Sequence, residues 1–133
     1  AEMLGICQES FDRTLQYLKE RKQFGVLIGS FQSLQHRAAD WWSQVELCKS
    51  VVLKALQALD SDDAKAPVLA SVAKAKLCQV TELSTNEAIQ MHGGIGMTDE
   101  YDIGFFIKRA RSAQIMFGDN SYHTDRFALL SGY

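Results

Sequence analysis

Residues Leu34–Leu59 read LQHRAADWWSQVELCKSVVLKALQAL. Within them Leu34, Ala38, Trp41, Val45, Cys48, Val52, Ala55 and Leu59 recur in alternating steps of four and three. A stripe with a mean period of 3.5 residues is the seam of a left-handed helical bundle. Trp41 lies on the stripe and Trp42 beside it. The first is therefore expected in the core and the second on a neighbouring face, as a candidate subunit contact.

The same periodicity runs outward in both directions. Upstream, Leu4, Cys7, Phe11, Leu15 and Leu18 predict a helix over roughly residues 1–22 that ends at Gly25. Val26 to Ser30 then read as a turn, with Ser30 as N-cap of the second helix. Downstream, Asp60 to Lys65 form a polar loop, and Pro67 suits the first turn of a third helix. That helix carries Leu69, Ala73, Leu77, Val80, Ser84, Ala88 and Met91 before it stops at Gly93-Gly94. A loop through Asp99 precedes a fourth helix with Phe106, Ala110, Ala113 and Phe117 in register. Gly118 ends it, and Asp119 or Asn120 caps a short fifth helix through Leu130. No segment alternates with period two, so no strand is expected. The predicted fold is all-α: an antiparallel up-down four-helix bundle with a short fifth C-terminal helix, forming one domain over residues 1–133. Because Ala1 already stands inside a helical pattern, the chain is expected to be one domain of a longer protein.

Composition narrows the function. A net charge of −2, with 14 basic and 16 acidic residues spread evenly, offers no stripe for nucleic acid. No apolar run is long enough to span a bilayer, and no signal-peptide pattern is present. Cys7, Cys48 and Cys78 lie in helical patterns without a CxxC, as reduced, buried thiols do in intracellular proteins. His36, His92 and His123 share no ligand spacing, so no metal site is expected.

Four features carry candidate chemistry. Arg21 follows Lys19-Glu20 at a helix C-terminus, where it could simply complement the helix dipole. The alternative is that it grips a diphosphate through its planar fork. Phe24 is either a hydrophobic wall beside a ligand or a staple on the end of the bundle. Gln32 and Gln90 could face solvent or offer donor and acceptor to a purine or amide edge. Three glycines within Gly93-Gly94-Ile95-Gly96 permit positive φ and close backbone approach. Their spacing, with no preceding strand, excludes a dinucleotide fingerprint.

Arg21-Lys22-Gln23-Phe24-Gly25, then Phe31-Gln32, then Gln90-Met91-His92-Gly93-Gly94-Ile95-Gly96-Met97-Thr98, then an Arg109-Ala110-Arg111 helix cover most of the chain in order. This pattern resembles the C-terminal helical domain of acyl-CoA dehydrogenases. The resemblance implies FAD as cofactor, with Arg21, Gln23 and Phe24 near its diphosphate, joined by Gln32. It implies that Gln90, Gly93 and Gly94 touch the adenosine end of a cofactor held mainly by a neighbouring subunit. Asp119 and Ser121 would approach the cofactor of the chain's own subunit. Implied partners are an acyl-CoA substrate, an electron-transfer acceptor and further subunits of a homo- or heterotetramer built as a dimer of dimers. N-terminal helical and middle β-domains would accompany this one, in the bacterial cytoplasm or the mitochondrial matrix.

The implied reaction is α,β-dehydrogenation of an acyl-CoA thioester, in which a carboxylate removes the α-proton and hydride leaves the β-carbon for flavin. Many members place that glutamate directly before the glycine after helix four. Here Phe117 stands there, and a phenyl ring accepts no proton. No catalytic residue is therefore assigned within the chain. The base would lie upstream of Ala1, or the chain would be a non-catalytic subunit that pairs with a catalytic partner. A purely structural helical bundle is the third reading.

Overall fold

The computed structural model describes residues 1–133. Helix α1 (Glu2–Glu20) leads into a hairpin of two short strands, β1 (Lys22–Gln23) and β2 (Val26–Leu27). Helices α2 (Gln32–Asp60), α3 (Ala66–His92), α4 (Ile103–Ile115) and α5 (Asn120–Leu130) follow. The short connections fold the helices back on one another as an up-down bundle. The architecture is the expected all-α bundle with a short fifth helix. No helix is long and apolar enough to cross a membrane.

Helix α3 is the axis, for it packs against α1, α2, α4 and α5. Its buried face explains how one helix accepts so many neighbours. Ser71, Ala73, Thr81, Ser84, Thr85 and Ala88 are all small and buried, so adjacent backbones approach closely. The hydroxyls cost little because most are bonded: Thr85 Oγ1 donates to the Thr81 carbonyl at 3.0 Å, and Ser84 Oγ accepts from Trp41 Nε1 at 2.8 Å. Trp41 is 1% exposed and meets Phe11 edge-on, ring centroids 5.0 Å apart. Trp42 lies on the neighbouring face as expected, 38% exposed, with its ring 5.0 Å from that of Phe11 and Lys49 Nζ 4.6 Å from its ring centre.

Four local expectations are corrected. Lys22–Gln23 and Val26–Leu27 form an antiparallel hairpin where the end of the first helix and a turn were expected. Two-residue strands are too short to show an alternation. Ser30 does not cap α2: Phe31 is the N-cap residue, and Ser30 Oγ donates back to the Leu27 carbonyl at 2.7 Å. In the last turn of α2 the covered position is Ala58 rather than Leu59. There the chain folds back over the helix and Asp63 N donates to the Ala58 carbonyl at 2.9 Å. Phe117 leaves the stripe of α4, because the helix ends at Ile115 and residue 117 turns to φ 61°. By contrast, Asp119 caps α5 as expected, accepting from Tyr122 N at 2.9 Å.

Candidate functional site

Arg21 is the C-cap of α1. Its backbone N–H closes the helix on the Tyr17 carbonyl at 2.9 Å, and its own carbonyl accepts from Ile28 N at 2.9 Å. Between these bonds the hairpin turns on Phe24 and Gly25, with φ of 54° and 79°. Two successive positive φ angles match the twist of paired strands, and glycine meets that demand without strain where phenylalanine does not. Phe24 therefore stands 91% exposed at the tip, with its ring 6.2 Å from that of Phe31. It is no staple on the bundle end. Gly29 brings the returning chain against α1. A Cβ there would lie 2.7 Å from the Leu18 carbonyl oxygen.

The second half of this corner is the end of α3. The three glycines of the motif do different work. Gly93, at φ 67°, turns the chain out of the helix. Gly96 is buried, and a Cβ on it would meet His92 Cβ at 3.0 Å and the Ile89 carbonyl at 3.1 Å. Gly94 has open space where its Cβ would be. Next to them His92 is 4% exposed, stacked on Tyr17 (ring centroids 4.3 Å apart) and tilted against Tyr101 at 4.9 Å. Its Nδ1 lies 2.7 Å from the Ala88 carbonyl, so the proton sits there and Nε2 is a buried acceptor without a partner. Burial pushes the imidazole pKa down from its ordinary value.

Between hairpin and glycine corner lies a cleft of about 510 Å³, lined by Tyr17, Arg21, Gln23, Gln90, Gly93 and Gly94 among others. The structure thus brings together five of the residues singled out in the sequence. Phe24 stands at the hairpin tip, and Gln32 is exposed at the start of α2; neither lines the cleft. Arg13, Arg37, Arg109 and Arg111 are ion-paired, and Arg126 is bonded to Ser71 and the Pro67 carbonyl. The Arg21 guanidinium has no such partner. It is the free cation of the cleft.

Asp119 and Ser121 belong to the opposite end of the molecule. An apolar cleft of about 330 Å³ at that end is lined by Met3, Val52, Ala73, Leu77, Met116 and Phe117, with Lys74 and Glu2 as its charged members. Neither Asp119 nor Ser121 lines it, and Asp119 lies instead in a separate cleft with Cys78, Gln79 and Arg111. The Glu2 carboxylate is bonded to Arg109, which holds its pKa below the ordinary value. Helix α1 runs from one cleft to the other, and its 19 residues span roughly 28 Å.

The acyl-CoA dehydrogenase C-terminal domain family matches residues 1–128. The chain belongs to the acyl-CoA dehydrogenase family. Among its relatives, acyl-CoA dehydrogenase IpdE2 of Mycolicibacterium smegmatis is 41% identical over 87% of the chain and 36% of its own length. The structure of butyryl-CoA dehydrogenase from Megasphaera elsdenii superposes with a TM-score of 0.91 at 32% identity, over 96% of this chain and 34% of that one. The FAD complex of PigA gives the same TM-score at 27% identity, over 98% and 34%. The chain spans about a third of the length of these relatives.

Sequence reasoning missed Tyr17, Gly29 and Lys74. Tyr17 could have been found, since it stands one helical turn before Arg21. Gly29 and Lys74 owe their roles to residues far along the chain or across the bundle, which no local pattern records.

Proposed function

We propose that this chain is the C-terminal domain of a flavin-dependent acyl-CoA dehydrogenase acting by α,β-dehydrogenation of an acyl-CoA thioester. The uncommitted Arg21 guanidinium, in one cleft with Gln23, Gln90 and the Gly93-Gly94 backbone, carries the reading. A diphosphate suits that site. Arginine offers it a bidentate fork, and the absent Cβ atoms of Gly93 and Gly94 leave open space where a planar or phosphate group can approach backbone. When bound, the flavin supplies the acceptor for hydride leaving the substrate β-carbon.

The separation of the clefts supports the implied subunit arrangement. Arg21 and Gln90 would hold a cofactor shared with a neighbouring subunit of a dimer of dimers, while the Phe117–Ser121 end would serve the cofactor and thioester of the chain's own subunit. The apolar walls Met3, Val52 and Leu77 suit an acyl chain. No carboxylate on this chain is suited to take the α-proton there. Phe117 cannot, Glu2 is paired with Arg109 at the surface, and Asp119, which caps α5, lines a different cleft with Cys78, Gln79 and Arg111. In this reading the base comes from outside residues 1–133, and electrons pass on to a separate electron-transfer acceptor.

The same observations favour a second reading, a flavin-binding subunit that depends on a catalytic partner. An anaerobic titration of the intact, flavin-loaded gene product with a panel of acyl-CoA thioesters separates the two. Bleaching of the visible flavin band is expected. Full flavin content without bleaching by any thioester would reject the catalytic reading in favour of the partner-dependent one. Arg21→Ala is expected to lower flavin content sharply, and unchanged content would refute the cofactor site.

A further inference from the structure

Lys74 stands in α3 between Ala70, Ala73 and Leu77, on the wall of the apolar cleft. It forms no ion pair with any carboxylate. Its ammonium instead donates to three backbone carbonyls, those of Ala113 at 3.1 Å, Gln114 at 2.9 Å and Gly118 at 2.8 Å. An ammonium has three donors, and a longer contact of 3.7 Å to Cys78 Sγ shares them.

These bonds close an account. The last four carbonyls of a helix have no partner within it. In α4 those of Ser112 and Ile115 accept from Met116 N at 3.1 Å and Gly118 N at 3.2 Å. Lys74 takes the remaining two, with its positive charge at the negative end of the helix dipole. Its third bond reaches past Phe117 to Gly118, and the Phe117 carbonyl between them accepts from His123 Nε2 at 2.9 Å. His123 is braced in turn: its Nδ1 lies 3.4 Å from Ser71 Oγ, and that hydroxyl oxygen accepts from Arg126 Nη1 at 2.6 Å. Every one of these contacts is to backbone or behind it. None reads the side chain at position 117.

What the clamp maintains is a strained conformation. A phenylalanine at φ 61°, with its ring 86% exposed, persists only where its surroundings over-determine it. We propose that Lys74 is a positioning residue of the acyl cleft: it fixes the Met116–Gly118 turn, so that the side chain at 117 forms the cleft wall and sets which acyl groups fit. This rests on the acyl-cleft reading above.

The test uses Lys74→Met, which keeps the aliphatic stem and removes the ammonium, and Lys74→Arg, which keeps the charge. Both are made in the intact, flavin-loaded gene product. The first readout is amide hydrogen exchange over residues 112–122. The second is half-saturation by acyl-CoA thioesters of graded acyl length, read from perturbation of the visible flavin band. Lys74→Met is expected to speed exchange in that segment by at least about tenfold, as loss of charge-assisted bonds would, and to leave α1 and α2 unchanged. It is also expected to alter the rank order of acyl lengths, and Lys74→Arg to recover part of the protection. A variant that merely loosened the bundle would speed exchange throughout and weaken all thioesters alike, and that result overturns the proposal. So does wild-type exchange over 112–122. If Lys74→Met does not fold, Lys74→Arg decides by the same two readouts, because its fork cannot reproduce three bonds made from one nitrogen. If wild-type protein responds to no thioester, the acyl-cleft reading fails, and exchange alone decides whether Lys74 fixes the turn.

Discussion

Replacing Gly29 with alanine should destabilise the protein for a purely steric reason. A Cβ at this position would lie 2.7 Å from the Leu18 carbonyl oxygen and 3.2 Å from the Leu18 carbonyl carbon, both backbone atoms that no rotamer change can move. Relief requires β2 and Ile28 to lift off the end of α1, against the 2.9 Å bond from Ile28 N to the Arg21 carbonyl. Overpacking of this kind costs about 1–3 kcal/mol. At roughly 3–5 °C per kcal/mol for a domain of this size, the melting midpoint should fall by about 3–15 °C. Two other glycines serve as controls. Gly5 lies inside α1 with nothing near a would-be Cβ, so Gly5→Ala should stabilise by about 0.5–1 kcal/mol. Gly25→Ala meets no atom either, but its φ of 79° makes it costly by about 1 kcal/mol. Far-ultraviolet circular dichroism during heating measures all three. A midpoint for Gly29→Ala equal to wild type, or one above that of Gly5→Ala, would refute the close-approach argument.

Two further predictions concern titratable groups. Burial holds the folded-state pKa of His92 below 6.5. The unfolded chain therefore takes up the proton first as pH falls, so stability present above about 6.5 is lost progressively below it. His92→Gln should flatten that part of a plot of urea midpoint against pH, and an unchanged slope would show that another group is responsible. The cysteines are all free and buried. Burial pushes the Cys48 thiol up to about 12 and raises those of Cys7 and Cys78 as well. A thiol reagent at neutral pH should find no reactive cysteine in the native protein and three once it is unfolded in denaturant. Rapid labelling of the native protein would contradict the burial of these side chains.

Much of the fold was legible along the chain because its signals are local. Trp41, Val45, Cys48, Leu77, Val80 and Ala88 fall on the stripes read from spacing, and all are buried. Pro67 starts α3, Gly93 ends it, and Asp119 caps α5, each through chemistry confined to one turn of backbone. The failures are local conflicts settled by distant partners. Ser30 is a good capping residue by composition, yet its hydroxyl turns to the Leu27 carbonyl because the hairpin places that acceptor within reach. Leu59 fits the stripe, but the returning connection covers Ala58 instead.

The site divides the same way. The sequence by itself determined the helical class, the family pattern and the residues of the glycine corner, since helical periodicity and turn chemistry depend on near neighbours. It also determined that position 117 bears no base, because a phenyl ring has no proton-accepting group in any fold. Only the tertiary structure decided that Arg21 is the uncommitted arginine, that Gly96 packs while Gly93 turns, and that the two clefts lie at opposite ends of α1. It alone decided the work of Lys74, whose acceptors lie 39 to 44 residues away. In sequence that residue is a lysine among alanines. Its partners are backbone carbonyls, which every residue carries, so no residue type marks them and only the packing of α4 against α3 selects them.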